Sequence, residues 1–101
     1  MKKIINGKKY DTETAEYIGT DSYEYPGNFH HYEDELYRKK TGEFFIAGSG
    51  GPLSKYAISV GVNEWEGSSA IKPLTLEEAK AWVEKNCDAD TYIELFGEPE
   101  E

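Results

Sequence analysis

The 101-residue chain has a single cysteine, Cys87. No disulfide can therefore close within it, and no multi-cysteine zinc site can form. Long apolar runs are also missing. No stretch approaches the roughly 20 consecutive apolar residues of a membrane span, and residues 1–20 lack the apolar core of a secretory leader. These absences point to a cytoplasmic protein with no membrane association. The spacings of familiar catalysts are missing too, including a His-Glu-x-x-His pair and a Gly-x-x-x-x-Gly-Lys-Ser/Thr loop. No nucleophile with a legible base is present, so the expectation is a protein that is not an enzyme and uses no metal or other cofactor. The last absence is one of charge: residues 11–35 contain not one Lys or Arg.

That segment instead carries eight acids, namely Asp11, Glu13, Glu16, Asp21, Glu24, Glu33, Asp34 and Glu35. A second acidic block, residues 74–101, sets nine acids against Lys80 and Lys85. Basic residues cluster elsewhere, at Lys2, Lys3, Lys8 and Lys9 and at Arg38-Lys39-Lys40, and the net charge is −9. Such a field repels phosphate backbones and steers the molecule toward basic surfaces. Direct nucleic-acid binding would run against the net charge, and would require those bases to converge on one face. With 14% aromatic residues, the chain is nevertheless rich enough in large apolar groups to fold, unlike a disordered acidic tail.

Its length suits one domain. Lys3–Tyr10 reads as a hairpin turned at Asn6-Gly7, a pair suited to the positive φ angles of a type I′ turn. Asp11 or Thr12 offers a cap for a helix over 12–18, with Gly19 as its terminator. Residues 20–31, with Pro26-Gly27, read as a long loop. Residues 35–40 and 43–47 form the clearest hairpin, turned at Thr41-Gly42, with Tyr37, Phe45 and Ala47 on one face. Leu53–Val62 is ambiguous between helix and strand, and Asn63–Ser69 reads as a loop anchored by Trp65. Ile71–Leu74 reads as an edge strand, because Pro73 has no N–H to give a central ladder. Thr75-Leu76-Glu77-Glu78 is a capping box for a helix to about Asn86, with Leu76, Ala79, Trp82 and Val83 as its apolar stripe. Asp88 caps a last short helix that Gly97 stops, and residues 98–101 form a frayed acidic tail. The resulting fold class is α+β: one domain in which a small antiparallel sheet is packed by two or three short helices.

Three constellations invite chemistry and are better explained by structure. Gly48-Ser49-Gly50-Gly51 resembles a phosphate cradle, but Pro52 removes a donor where one is needed, and glycines forced into positive φ are the simpler reading. Adjacent His30 and His31 point to opposite sides of an extended chain and cannot easily share one metal ion. Cys87 lies beside Asp88 and Asp90, whose charges raise a thiol pKa, so an inert half-buried thiol is expected.

The acidic block is different, because tyrosines and phenylalanines are interleaved with its acids. Rigid phenols give large contact area at binding surfaces. Carboxylates along one face can occupy the phosphate sites of a nucleic-acid-binding groove while aromatics fill the place of bases. The candidate partner-binding residues are therefore Asp11, Glu13, Glu16, Tyr17, Asp21, Tyr23, Glu24, Tyr25, Glu33, Asp34 and Glu35.

Ile5–Thr12, Leu36-Tyr37-Arg38 through Gly42–Phe45, Gly50-Gly51-Pro52 and Pro73-Leu74-Thr75 together resemble a group of small acidic proteins carried by phages and mobile elements of Gram-positive bacteria. The resemblance covers nearly the whole chain, and its motifs are turns and caps. It implies a setting in which small acidic proteins inhibit host defences, as anti-CRISPR and DNA-mimicking antirestriction proteins do. The expected partner is a basic nucleic-acid-binding protein of a host defence system. The alternative is a protein–protein adaptor whose acidity serves only solubility, using the 20–31 loop and exposed aromatics. A homodimer is left open.

Overall fold

Residues 35–47 supply the central strand pair, because their alternating aromatic, aliphatic and charged side chains suit a sheet covered on both faces. The computed structural model describes residues 1–101. In chain order the elements are strands β1 (Lys2–Ile5), β2 (Lys8–Asp11), β3 (Glu16–Tyr23), β4 (Tyr32–Arg38), β5 (Phe44–Gly50), β6 (Ile58–Gly61), β7 (Glu64–Glu66) and β8 (Ser68–Leu74). Helices α1 (Leu76–Asn86) and α2 (Ala89–Phe96) follow. The main sheet is antiparallel in the order β3-β4-β5-β8, and β1–β2 and β6–β7 are separate hairpins. The class is α+β, as expected, with two helices.

The alternation of β4 and β5 feeds two cores. Leu36, Phe44 and Ile46 meet Ala79 and Val83 of α1 on one face, with Trp82, Tyr92 and Phe96 around them. On the other face Phe45 and Ile71 meet Tyr10 of β2, flanked by Ile5, Ala15 and Tyr37. Phe45 is fully buried, stacked on Tyr37 at 5.5 Å and edge-on to Tyr10 at 5.4 Å. Tyr37 pairs with Phe45 across the ladder, and β8 lies at the sheet edge with Pro73 opposite Phe45.

Local signals hold where a turn or cap decides the outcome. Asn6 and Gly7 have φ of 52° and 77° and turn β1 into β2. Thr75 Oγ1 accepts from the Glu78 N–H at 3.1 Å, and the Glu78 carboxylate accepts from the Thr75 N–H at 2.9 Å. Asp88 caps α2 by accepting the Thr91 N–H at 2.8 Å, and Gly97 stops it at φ 89°.

The helix expected over 12–18 does not form. The Ala15 N–H reaches the Asp11 carbonyl at 3.1 Å, so one turn closes, but from Glu16 the chain is extended and pairs along β4. A full ladder satisfies more backbone groups than a two-turn helix would. Gly19 is consequently a strand residue, packed beneath the Cys87 sulfur and the Trp82 ring, where a Cβ would lie 3.2 Å from Sγ. The expected 20–31 loop is shorter, since Thr20–Tyr23 belong to β3. Leu53–Val62 resolves into turns and then β6, and the Asn63–Ser69 loop is β7 and the start of β8. Trp65 anchors nothing there, being exposed.

Candidate protein-interaction site

The two ends of the main sheet are built differently. The row Glu16, Arg38, Phe44 and Leu74 marks one end, and the row Tyr23, Tyr32, Gly50 and Ser68 marks the other. At the first, which we call the closed end, the helices cover one face and the β1–β2 hairpin the other. The second, the open end, has neither. Its connections are the 24–31 segment, the 51–57 segment and the β6–β7 hairpin.

A buried carboxylate organises the open end. Asp34 is 5% exposed and sits on the helix side of β4, beyond the reach of the helices. One of its oxygens accepts from the Tyr56 hydroxyl, and the other is paired with the Lys55 ammonium. Burial and the neighbouring Asp34 carboxylate both push the Tyr56 phenol above its usual range, so it stays a neutral donor. Lys55 also lies 4.3 Å over the Tyr32 ring, which stacks on Tyr23 at 5.8 Å. The cluster fastens the 51–57 segment onto the sheet.

The glycine run explains how the fit is possible, and corrects the expectation of positive φ. Gly48, Gly50 and Gly51 all have ordinary φ. A Cβ on Gly48 would collide with the Tyr56 hydroxyl, and one on Gly51 would lie 2.6 Å from the Phe29 carbonyl oxygen. Glycine serves close approach here, not turn geometry. His31 is likewise structural: its Nδ1 lies 2.8 Å from the Glu24 carbonyl oxygen and 3.0 Å from that of Tyr23. A proton on Nδ1 ties the start of the 24–31 segment to its end.

The candidate binding residues do not share one face. Period-two alternation puts Asp21, Tyr23 and Asp34 on the helix side, and Tyr17, Glu33 and Glu35 on the opposite side. Glu24 and Tyr25 are exposed in the 24–31 segment. Glu13 is exposed in the turn before β3, and Glu16 is held by Arg38 at 2.7 Å at the closed end. Two are not contact residues. Asp11 is 6% exposed and accepts the Glu13 N–H at 3.0 Å, while Asp34 is locked into the cluster just described. Thr20, Glu33, Glu35, Ser22, Ser49 and Ser69 share the sheet face away from the helices, an array of hydroxyls with two carboxylates.

The bases collect at the closed end, and three of them, Lys8, Arg38 and Lys39, are paired there. Glu43 receives Lys8 at 3.1 Å and Lys39 at 3.5 Å, which hold its carboxyl below the usual range. A concavity of about 460 Å³ includes Arg38, Lys39 and Lys40 in its walls, so two of its three bases are already paired. At the open end the balance is opposite. Segments 20–34 and 48–69 contain six acids and one base, Lys55, which Asp34 already engages.

Sequence reasoning missed the concentration of apolar surface at this same end. Eight of the twelve exposed large hydrophobic residues lie in Tyr23, the 24–31 and 51–57 segments and the β6–β7 hairpin. A period-two signal was present in Ile58, Val60 and Val62 before Asn63, whose φ of 57° turns the hairpin. Cys87 is half-buried, its thiol pushed up first by burial and then by Asp88. No helix is long and apolar enough to cross a membrane. No protein-family model, curated protein or solved structure matches the chain, so the site rests on its own geometry.

Proposed function

We propose that the protein is a non-enzymatic inhibitor that docks on a basic, nucleic-acid-handling protein of a host defence system and blocks its nucleic-acid groove. One observation carries this reading: at the open end, carboxylates stand beside exposed tyrosines with no uncompensated base among them. Glu33 and Glu35 lie on the sheet face away from the helices, and Asp21, Glu24, Tyr23 and Tyr25 continue the surface around the edge and tip. Opposed fields of this kind accelerate encounter and suppress wrong partners. The resemblance to small acidic proteins of mobile elements supports the defence setting.

The test is capture from a host lysate by the wild type and by a Glu24→Lys/Glu33→Lys/Glu35→Lys variant, at low and high salt. The captured protein is then purified and challenged with its nucleic acid. The expected result is a nucleic-acid-binding protein that is lost in the variant and at high salt, and whose DNA or RNA the wild type displaces. Equal capture by both forms, insensitive to salt, would replace this reading with the adaptor. The apolar surface at the same end favours that second reading, because apolar contacts do not weaken with salt.

A further inference from the structure

We infer that the β6–β7 hairpin is an apolar prong that seats in a hydrophobic pocket rimmed by Lys or Arg on the partner. The inference rests on the basic partner of the proposed function and adds a second, non-electrostatic anchor to it. All ten residues from Ile58 to Gly67 are exposed. Among them Ile58, Val60, Val62 and Trp65 are 45%, 50%, 90% and 56% exposed. Folding does not require those side chains to be apolar, since they reach neither core. Apolar side chains that project from both faces and the tip of a hairpin, with no role inside the fold, mark a contact with something outside it.

The hairpin is presented, not merely left over. Ile58 pairs with Glu66 and Ser59 with Trp65, and the two-residue turn Val62-Asn63 closes the tip. Its base is fixed on the Asp34 cluster, because the Ser68 hydroxyl donates to the Tyr56 carbonyl. Gly67 admits no side chain there, since a Cβ would strike the Gly50 carbonyl oxygen. Beside the base, the Leu53 N–H donates to the Phe29 carbonyl at 2.9 Å, and both side chains are exposed. They widen the apolar footprint.

Charge selects the occupant. Glu64 and Glu66 bracket Trp65, and no Lys or Arg occurs from Tyr56 to Ile71. Two prongs meeting in a homodimer would bring four carboxylates together, and an anionic bilayer would repel the same residues. A pocket whose floor is apolar and whose rim is basic satisfies both features. Trp and aliphatic side chains are the residues that gain most from such burial.

The probe is a random-peptide display library selected on the immobilised full-length protein. Selected peptides are then measured against two variants, Val60→Ser/Val62→Ser/Trp65→Ser and Glu33→Lys/Glu35→Lys. The expected peptides combine Lys or Arg with aromatic or aliphatic residues, and lose roughly thirtyfold in affinity on the serine variant, equivalent to about 2 kcal/mol. An unchanged denaturation midpoint shows that the serine variant is folded, and Val62→Asp alone gives an independent check at the tip. The inference is overturned by an empty selection, by apolar peptides without bases, or by peptides that the serine variant still holds. Self-association through the hairpin, or sedimentation with phosphatidylcholine vesicles, also overturns it. Peptides lost on the lysine variant but kept by the serine variant sink the prong and leave the proposed function standing. Serine-sensitive peptides, with a lysate partner that binds no nucleic acid, do the reverse.

Discussion

The closed and open ends of one four-stranded sheet spend their apolar residues in opposite ways. At the closed end, Leu36, Phe44, Phe45, Ile46 and Ile71 are buried between the helices and the β1–β2 hairpin. At the open end, Phe29, Leu53, Val62 and Trp65 face water, and the only large anchor is the polar Asp34–Tyr56–Lys55 cluster. Charges divide too: bases gather at the first end, three of them paired, and unpaired acids predominate at the second. Buried packing and exposed apolar surface are thus separated along one β ladder. A scaffold can hold a binding surface that is itself poorly packed, provided the remainder supplies the folding free energy.

The sharpest way to break the comparison is to remove closed-end packing. Phe45→Ala should cost roughly 3–5 kcal/mol, the range for deleting a buried aromatic ring. Phe45 touches Tyr37 and Tyr10 at once, so the β1–β2 hairpin should loosen together with the sheet. A denaturant titration followed by near-ultraviolet circular dichroism checks this, and a loss below 1 kcal/mol would mean the second core is not essential.

Next in size is the open-end cluster. Asp34→Ala leaves the Tyr56 hydroxyl without its partner beneath the sheet, at a cost of about 1–3 kcal/mol. Lys55→Ala should cost less, because the Lys55 side chain is 51% exposed and the Asp34 carboxylate keeps the Tyr56 hydroxyl as a donor. Hydrogen exchange separates the two ends: in Asp34→Ala, protection should fall across 51–57 while β4 opposite Phe44 and Phe45 stays protected. Uniform loss along the sheet would show that the ends are one cooperative unit.

The helix caps come third and bear on what could be read in advance. Thr75→Ala removes the acceptor for the Glu78 N–H and should cost about 1 kcal/mol. The Glu78 and Asp88 carboxyls lie below their ordinary values of 4.5 and 3.8, because the Thr75 N–H favours the charged form of Glu78, and the Thr91 side chain and then its N–H favour that of Asp88. A depressed folded-state value stabilises above the unfolded value and is lost as pH falls through the folded one. Acidification below about pH 4.5 should therefore loosen the helices, and Glu78→Gln, which no longer titrates, should flatten that dependence, as a thermal melt series over pH would show.

Those caps, like Asn6-Gly7 and the 35–47 hairpin, were legible because each is a contract between residues a few positions apart. The segment 12–18 was not, since its fate depends on Tyr17 meeting Tyr37 and Glu16 meeting Arg38, partners about twenty residues away. The candidate site failed to read as one surface for a related reason. Composition places Asp21, Glu33, Asp34 and Glu35 in one block, but the strand period sends alternate members to opposite faces. Asp34 looked like one more surface acid, because nothing local announces that Tyr56, 22 residues on, buries it.

The smallest predicted effect sharpens the comparison most. Val60→Ser/Val62→Ser/Trp65→Ser should change global stability by no more than about 0.5 kcal/mol for each substitution, the range for exposed positions away from any core. It should also reduce retention on a phenyl column, because the exposed apolar area falls. A loss of several kcal/mol would place the hairpin in the folding unit and erase the distinction between the ends. A neutral result means that Val60, Val62 and Trp65 answer to no demand from folding. An apolar tip that the fold does not need, standing in a field of uncompensated carboxylates, is then free to serve the contact proposed above.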